Sequence, residues 1–282
     1  TAIFSPGAAP ANSPRPGNLH FAPPPPRPAP GRGGGGGRRR APPDEPSGVR
    51  LPSEAATILA INGSERAGGN TDLAVAHAGR LIAERGAVLR TIRLREHRIS
   101  PCSPCGDCNS RTLPCTVDDD VPALVEQMVR ADGLIYAAPV HGFGLAHLMQ
   151  IFIERAGVGY LRFTRPLADK VGGIIVTGRR YSDSSVHNQI VNNLLLNRMI
   201  LVGSGFPVLL RNTTGTPGLT DPEGVDALER MVHRMVDMVQ LLKRHQRVTG
   251  GPVLPSRDRN ERVPRPRRAE SVPTRGDSEN VH

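Results

Sequence analysis

The chain of 282 residues has no tryptophan, three tyrosines and six phenylalanines, so it offers few of the flat side chains on which single-stranded nucleic acid stacks. It has no apolar run of the ~18 residues that a bilayer-spanning helix needs, and no membrane partner is expected. No compact apolar h-region opens it; a secretory signal is not visible, and the expected location is cytoplasmic. Large apolar residues are sparse in 1–55, where Pro, Gly, Ala and Arg dominate, and apolar periodicity is nearly absent from the Arg-rich stretch 246–282. Neither stretch can bury enough surface to offset its ordering entropy, so both are expected to be disordered tails. No internal repeat is present.

The charge divides the same way. The net value is +10. Residues 56–245 hold 21 Lys and Arg against 18 Asp and Glu, which leaves most of the excess in the tails. That predicts weak electrostatic affinity for polyanions and no sequence-specific nucleic-acid recognition.

The middle, 56–245, has the size of a single domain. Strand-like and helix-like segments alternate along it: strands at 57–61, 87–94, 133–138, 171–177 and 206–210, and helices at 71–85, 121–131, 144–156, 184–202 and from Thr220 onward. Asp120 is a plausible N-cap, and Thr220 with Glu223 forms a capping-box pattern. Five strands with intervening helices predict an α/β fold, a doubly wound parallel sheet in the flavodoxin-like order 2-1-3-4-5. Ligands of such sheets bind beyond the carboxyl ends of the strands, which directs attention to the loops after the first, third and fourth strands.

The first of these loops reads Asn62-Gly63-Ser64-Glu65-Arg66-Ala67-Gly68-Gly69-Asn70-Thr71. It joins a buried strand to a helix N-terminus, where free N–H groups and the helix dipole favour an anion. Ser64 and Thr71 add hydroxyls, Asn70 an amide and Arg66 a cation. It is neither a Walker loop nor the dinucleotide fingerprint; the plainer alternative is a strand-to-helix turn capped by Thr71.

All four cysteines, Cys102, Cys105, Cys108 and Cys115, lie in one loop at 101–116 with the spacing C-x2-C-x2-C-x6-C. Pro101, Pro104, Gly106 and Pro114 keep the loop irregular. Four thiolates suit a [4Fe–4S] cluster or tetrahedral zinc. The C-x2-C-x2-C run favours iron–sulfur, because zinc sites more often pair two separated C-x2-C units. The run Asp118-Asp119-Asp120 reads as a cap for the following helix rather than as metal ligands.

The pattern Gly63-Ser64-x-Arg66-x-x-Gly69-Asn70-Thr71 resembles the G-S-x-R-x-x-G-N-T loop of the flavodoxin-like NAD(P)H-dependent FMN reductases, and the cysteine spacing resembles their iron–sulfur flavoprotein branch. The resemblance covers about 57–210. It implies that Ser64, Arg66, Asn70 and Thr71 bind the FMN phosphate and that Cys102, Cys105, Cys108 and Cys115 hold a [4Fe–4S] centre. It places Pro139, Val140, His141, Gly142 and Phe143, and then Thr177, Gly178 and Arg179, near the flavin ring. The family usually shows Pro-Val-Tyr followed by Ser and a later Lys; this chain has His141, Gly144 and His147 instead. The resemblance further implies NAD(P)H as donor, a small-molecule or protein redox partner and a homo-oligomer. No side chain stands out as a general acid or base. The rival readings are an FMN or quinone reductase without a cluster and a zinc-stabilised, non-enzymatic binding module.

Overall fold

The computed structural model describes residues 55–254 apart from 104, 106, 107, 109–114 and 163. The expected tails, 1–55 and 246–282, lie almost wholly outside the described residues. Three strands form the centre: β1 (Thr57–Asn62), β3 (Gly133–His141) and β5 (Val171–Gly178). They are nearly continuous apolar runs because both of their faces are covered. With β2 (Val88–Arg93) on one side they make a parallel sheet in the order β2-β1-β3-β5, completed by an edge beyond β5. This is the doubly wound, flavodoxin-like arrangement.

Successive residues of each strand point to opposite faces. Ile58, Ala60, Ile135 and Ile175 pack with α1 (Asn70–Glu84) and α5 (Pro222–Thr249). Leu59, Ile61, Leu134 and Ile174 pack with α2 (Val121–Arg130), α3 (His147–Ala156) and α4 (Asp183–Leu196). Phe152 on α3 is fully buried there; removing such a side chain costs about 3–5 kcal/mol.

Several elements differ from the sequence expectation. The edge is not one strand at 206–210. It is two short pieces, β6 (Ile200–Leu201) and β7 (Leu209–Arg211), each parallel to β5. Gly205 at φ +94° and Pro207, which has no N–H to donate, interrupt the ladder between them. The helix expected over 184–202 stops at Leu196, where the Asn197 side chain donates to the Asn193 carbonyl and Arg198 turns to φ +56°. β3 continues through Pro139 and folds back on a two-residue strand, β4 (Gly144–Leu145), so α3 begins at His147 rather than at 144. Gly142 and Phe143 both have positive φ, the conformation of a tight hairpin turn. The α5 cap is Asp221, whose carboxylate accepts from the Gly224 amide, and not Thr220. That helix runs on past 245 to Thr249, so 246–249 are helical and not part of a tail.

The two ends of the sheet are finished differently. At the amino ends of the strands, Asp132 accepts from the Thr57 amide and from Lys243 at 2.8 Å each, and Lys170 donates to the Ala131 carbonyl at 2.6 Å. At the carboxyl ends the loops part around a cavity.

Candidate functional site

The cavity has a volume of about 490 Å³, within the usual range for a small-molecule site. The loop after β1 forms one wall through Ser64, Arg66, Asn70 and Thr71. The ends of β3 and β5 form the others, with Pro139, Val140, His141, Thr177, Gly178 and Arg179. Ten of the twelve residues expected near a cofactor are thus gathered round one opening. Gly142 and Phe143 are not on its wall; they form the β3–β4 turn, and Phe143, 73% exposed, faces Tyr181 with ring centroids 6.5 Å apart.

The loop after β1 is set from behind by one carboxylate. Asp72 accepts from the Asn62 side chain at 2.5 Å, from the Gly68 amide at 2.7 Å and from both terminal nitrogens of Arg95 at 3.0 and 3.1 Å. Asn62 in turn accepts from the Ser64 amide at 2.9 Å, and Arg95 donates to the Ser64 carbonyl at 3.3 Å. Burial alone would raise the Asp72 carboxyl, but the hydrogen bonds and charge of Arg95, with the Gly68 amide and Asn62, hold it below the ordinary aspartate value. Gly63 is needed for close approach: a Cβ there would sit 2.6 Å from the Met149 Cβ. Gly68 takes φ +68°, which a side chain would resist.

Thr71 does not cap α1. Its hydroxyl lies 2.8 Å from that of Thr177 and ties the helix to the end of β5. The N-cap position is Gly69, and no side chain caps the helix. The amides of Asn70, Thr71 and Asp72 have no acceptor among the described residues. An uncapped helix N-terminus opening into a cavity is a site for an anion.

Sequence reasoning missed a third contributor, the loop after β7. Asn212, Gly215 and Pro217 complete the wall. The Asn70 side-chain oxygen accepts from the Gly218 amide at 2.9 Å, and Asn212 holds the Thr216 and Gly218 carbonyls at 2.7 and 3.1 Å. The turn-rich run Asn212-Thr-Thr-Gly-Thr-Pro-Gly218 was the available signal. At the mouth, Glu65 pairs with His147 at 2.9 Å and lies 3.9 Å from His141.

Cys115 lies by the last turn of α3, 3.7 Å from Arg155. No two of them form a disulfide; Cys102 and Cys105 are exposed, Cys108 and Cys115 half-buried. What desolvation it has, with the charges of Glu154, Cys108 and Cys105, pushes the Cys102 thiol up against the pull of Arg155. Among the described residues no group of three or more His, Cys, Asp or Glu side chains is drawn close enough to hold a metal ion. The donor set, four thiols on one irregular loop, fits a thiolate-bound iron centre or zinc by chemistry. Asp119 does more than interact with the α2 dipole: it accepts from the Val121 amide and is gripped by Arg155. Asp120 makes no side-chain cap and accepts instead from the Arg98 amide.

α3 touches both regions. His147, its first residue, meets Glu65; Met149 packs on Gly63; Arg155, in its last turn, reaches the cysteine loop. Among the described residues, no helix is long and apolar enough to cross a membrane.

Residues 56–212 match the NADPH-dependent FMN reductase family. An iron–sulfur flavoprotein of Methanocaldococcus jannaschii is 31% identical over 194 residues, covering 66% of this chain and 99% of that protein. An iron–sulfur flavoprotein of Methanosarcina thermophila is 27% identical over 191 residues, covering 67% and 98%. Among solved structures, RosB with bound 8-demethyl-8-formylriboflavin-5'-phosphate aligns with a TM-score of 0.55 at 18% identity, over 81% of this chain and all of its own. A flavone reductase aligns with a TM-score of 0.51 at 18% identity, over 66% and 64%. At such identities the structural likeness speaks for the fold alone.

Proposed function

The chain belongs to the NADPH-dependent FMN reductase family and is an FMN-dependent oxidoreductase; from that premise we propose that it is an iron–sulfur flavoprotein, moving electrons from NAD(P)H through FMN and a [4Fe–4S] cluster to an acceptor. The observation that carries the flavin site is the uncapped N-terminus of α1, opening into the cavity behind a loop braced by Asp72. The amides of Asn70 and Thr71, the Ser64 hydroxyl and Arg66 would hold the phosphate. Pro139, Val140, Thr177 and Gly178 would shape the wall against the ring system, where a Cβ on Gly178 would sit 3.1 Å from the Val140 side chain, a tight contact. Arg179 would stabilise negative charge at the pyrimidine edge of the ring. His141, on the wall and beside Glu65, is the group placed to hold a proton there.

When bound, FMN supplies two-electron exchange with a nicotinamide and the cluster supplies one-electron exchange with an acceptor. Cys102, Cys105, Cys108 and Cys115 are the residues that would hold the cluster; the donor chemistry and the names of the two relatives support it. A homo-oligomer and a small-molecule or protein redox partner complete the reading.

The test of the flavin site is titration of flavin-free protein with FMN and with riboflavin. FMN is expected to bind at least ~100-fold tighter, because two or more charge-assisted bonds to the phosphate are lost in riboflavin. Equal affinities would remove the phosphate site. Iron and zinc assays on anaerobically purified protein test the cluster: about four irons per chain are expected, and stoichiometric zinc without iron would overturn it.

A further inference from the structure

We propose that Arg155 is the positioning residue of the cysteine loop: it closes the neck of the loop through Ser100 and Asp119 and donates a hydrogen bond to the sulfur of Cys115. The cluster part of this rests on the iron–sulfur reading; the closure of the neck does not.

A buried arginine needs a reason. Arg155 is 2% exposed on a helix face that otherwise buries Met149, Phe152 and Ala156, where an aliphatic residue would pack without the cost of desolvating a charge. Both terminal nitrogens of its guanidinium are engaged. Nη1 donates to the Ser100 carbonyl at 2.6 Å and to Asp119 Oδ2 at 2.7 Å. Nη2 donates to Asp119 Oδ1 at 3.3 Å and to Cys115 Sγ at 3.7 Å. Asp119, whose side chain is fully buried, also accepts from the Ser100 amide at 3.0 Å and from the Val121 amide at 3.2 Å. Burial would lower the guanidinium, but Asp119 and Cys115 hold it firmly protonated; Arg155 and Ser100 likewise overcome the effect of burial and keep the Asp119 carboxyl ionised.

The placement is what gives this ion pair a role. Ser100 and Asp119 flank the four cysteines in sequence, and Arg155 joins them from a different element. A second rung lies just outside: the Arg98 amide donates to Asp120 Oδ2 at 2.8 Å and the Asp120 amide to the Arg98 carbonyl at 3.0 Å. The segment bearing the thiols therefore leaves and returns through a closed neck. Arg155 reaches past the neck to the fourth sulfur. An N–H donated to a metal-bound thiolate orients the ligand and raises the reduction potential of the centre. Lysine could keep the charge, but it has one nitrogen where the fork reaches three groups at once.

The experiment compares the full-length chain with Arg155→Lys, and with the double variant Arg155→Met/Asp119→Leu, which leaves no unpaired buried charge. Amide exchange over 98–102 and 115–120 is expected to rise by about tenfold or more in both variants, while exchange over 57–72 and FMN content stay at the wild-type level. Iron held after anaerobic reconstitution is expected to fall several-fold, and the remaining centre to shift to lower potential. A purely packing role would leave the potential unmoved. Wild-type exchange, iron and potential in both variants would overturn the proposal. A wild-type chain that takes up no iron would instead overturn the cluster reading, and the exchange comparison would still decide the role of Arg155.

Discussion

The loop at 62–72 is held by groups of the protein itself: Asp72, Asn62, Arg95 and the Thr71–Thr177 contact fix it. Among the described residues, the cysteine loop is held at its neck by Asp119 and Arg155, while Cys102 and Cys105 are exposed. The difference teaches how each would acquire its cofactor. A preorganised cradle adds little ordering cost to binding. A loop whose four thiols converged on one metal would gain order from it, as metal sites that couple binding to folding do.

Substitutions that separate the two loops test this. The largest effect is expected from Cys105→Ser, which should abolish iron binding and the broad absorbance near ~400 nm expected of thiolate-bound iron, yet leave FMN stoichiometry unchanged. Loss of both cofactors together would join what the comparison divides. Gly63→Val drives a branched side chain into Met149, at about 1–3 kcal/mol, and should weaken FMN binding by roughly 10- to 100-fold with iron content unaltered. Asp72→Asn keeps the shape but not the charge facing Arg95; about a tenfold loss of FMN affinity is expected by fluorescence titration, without global unfolding.

The smallest effect is in pH. Asp72 and Asp119 are both held below the ordinary aspartate value of 3.8. As pH falls, the unfolded chain takes up these protons first, so the stabilisation is complete above about pH 4 to 5 and disappears as pH drops through the lower folded values. Melting temperatures should therefore change little with pH near neutrality, where both carboxylates stabilise fully, and fall steeply in acid. The fall should be shallower in Asp72→Asn. An equally steep fall in that variant would show that the loop is not what acid releases.

The fold and most of the cavity wall were legible because they are written locally. Apolar strand cores, a glycine-rich loop after the first strand and a spaced set of cysteines need no knowledge of distant residues. What escaped depends on long-range contact or on backbone strain. Asn212 meets Asn70 from far along the chain, after an edge strand broken by Gly205 and Pro207. Asp72 meets Arg95 across 23 positions of sequence, a pairing that no local pattern announces. Arg155 sat in an amphipathic pattern that gave no sign of its burial. The β3–β4 turn was hidden because Phe143 adopts a positive φ that glycine or asparagine would have announced.

Because His147 and Arg155 stand eight residues apart on α3, the cavity and the cysteine loop share one ruler. A helix advances about 12 Å over that interval and turns the second side chain about 80° from the first. Inserting or deleting a single residue between them would swing one contact by about 100° and slide it by about 1.5 Å. No lengthening of the loops on either side could restore both alignments, so α3 should tolerate replacement of its residues far better than any change in their number.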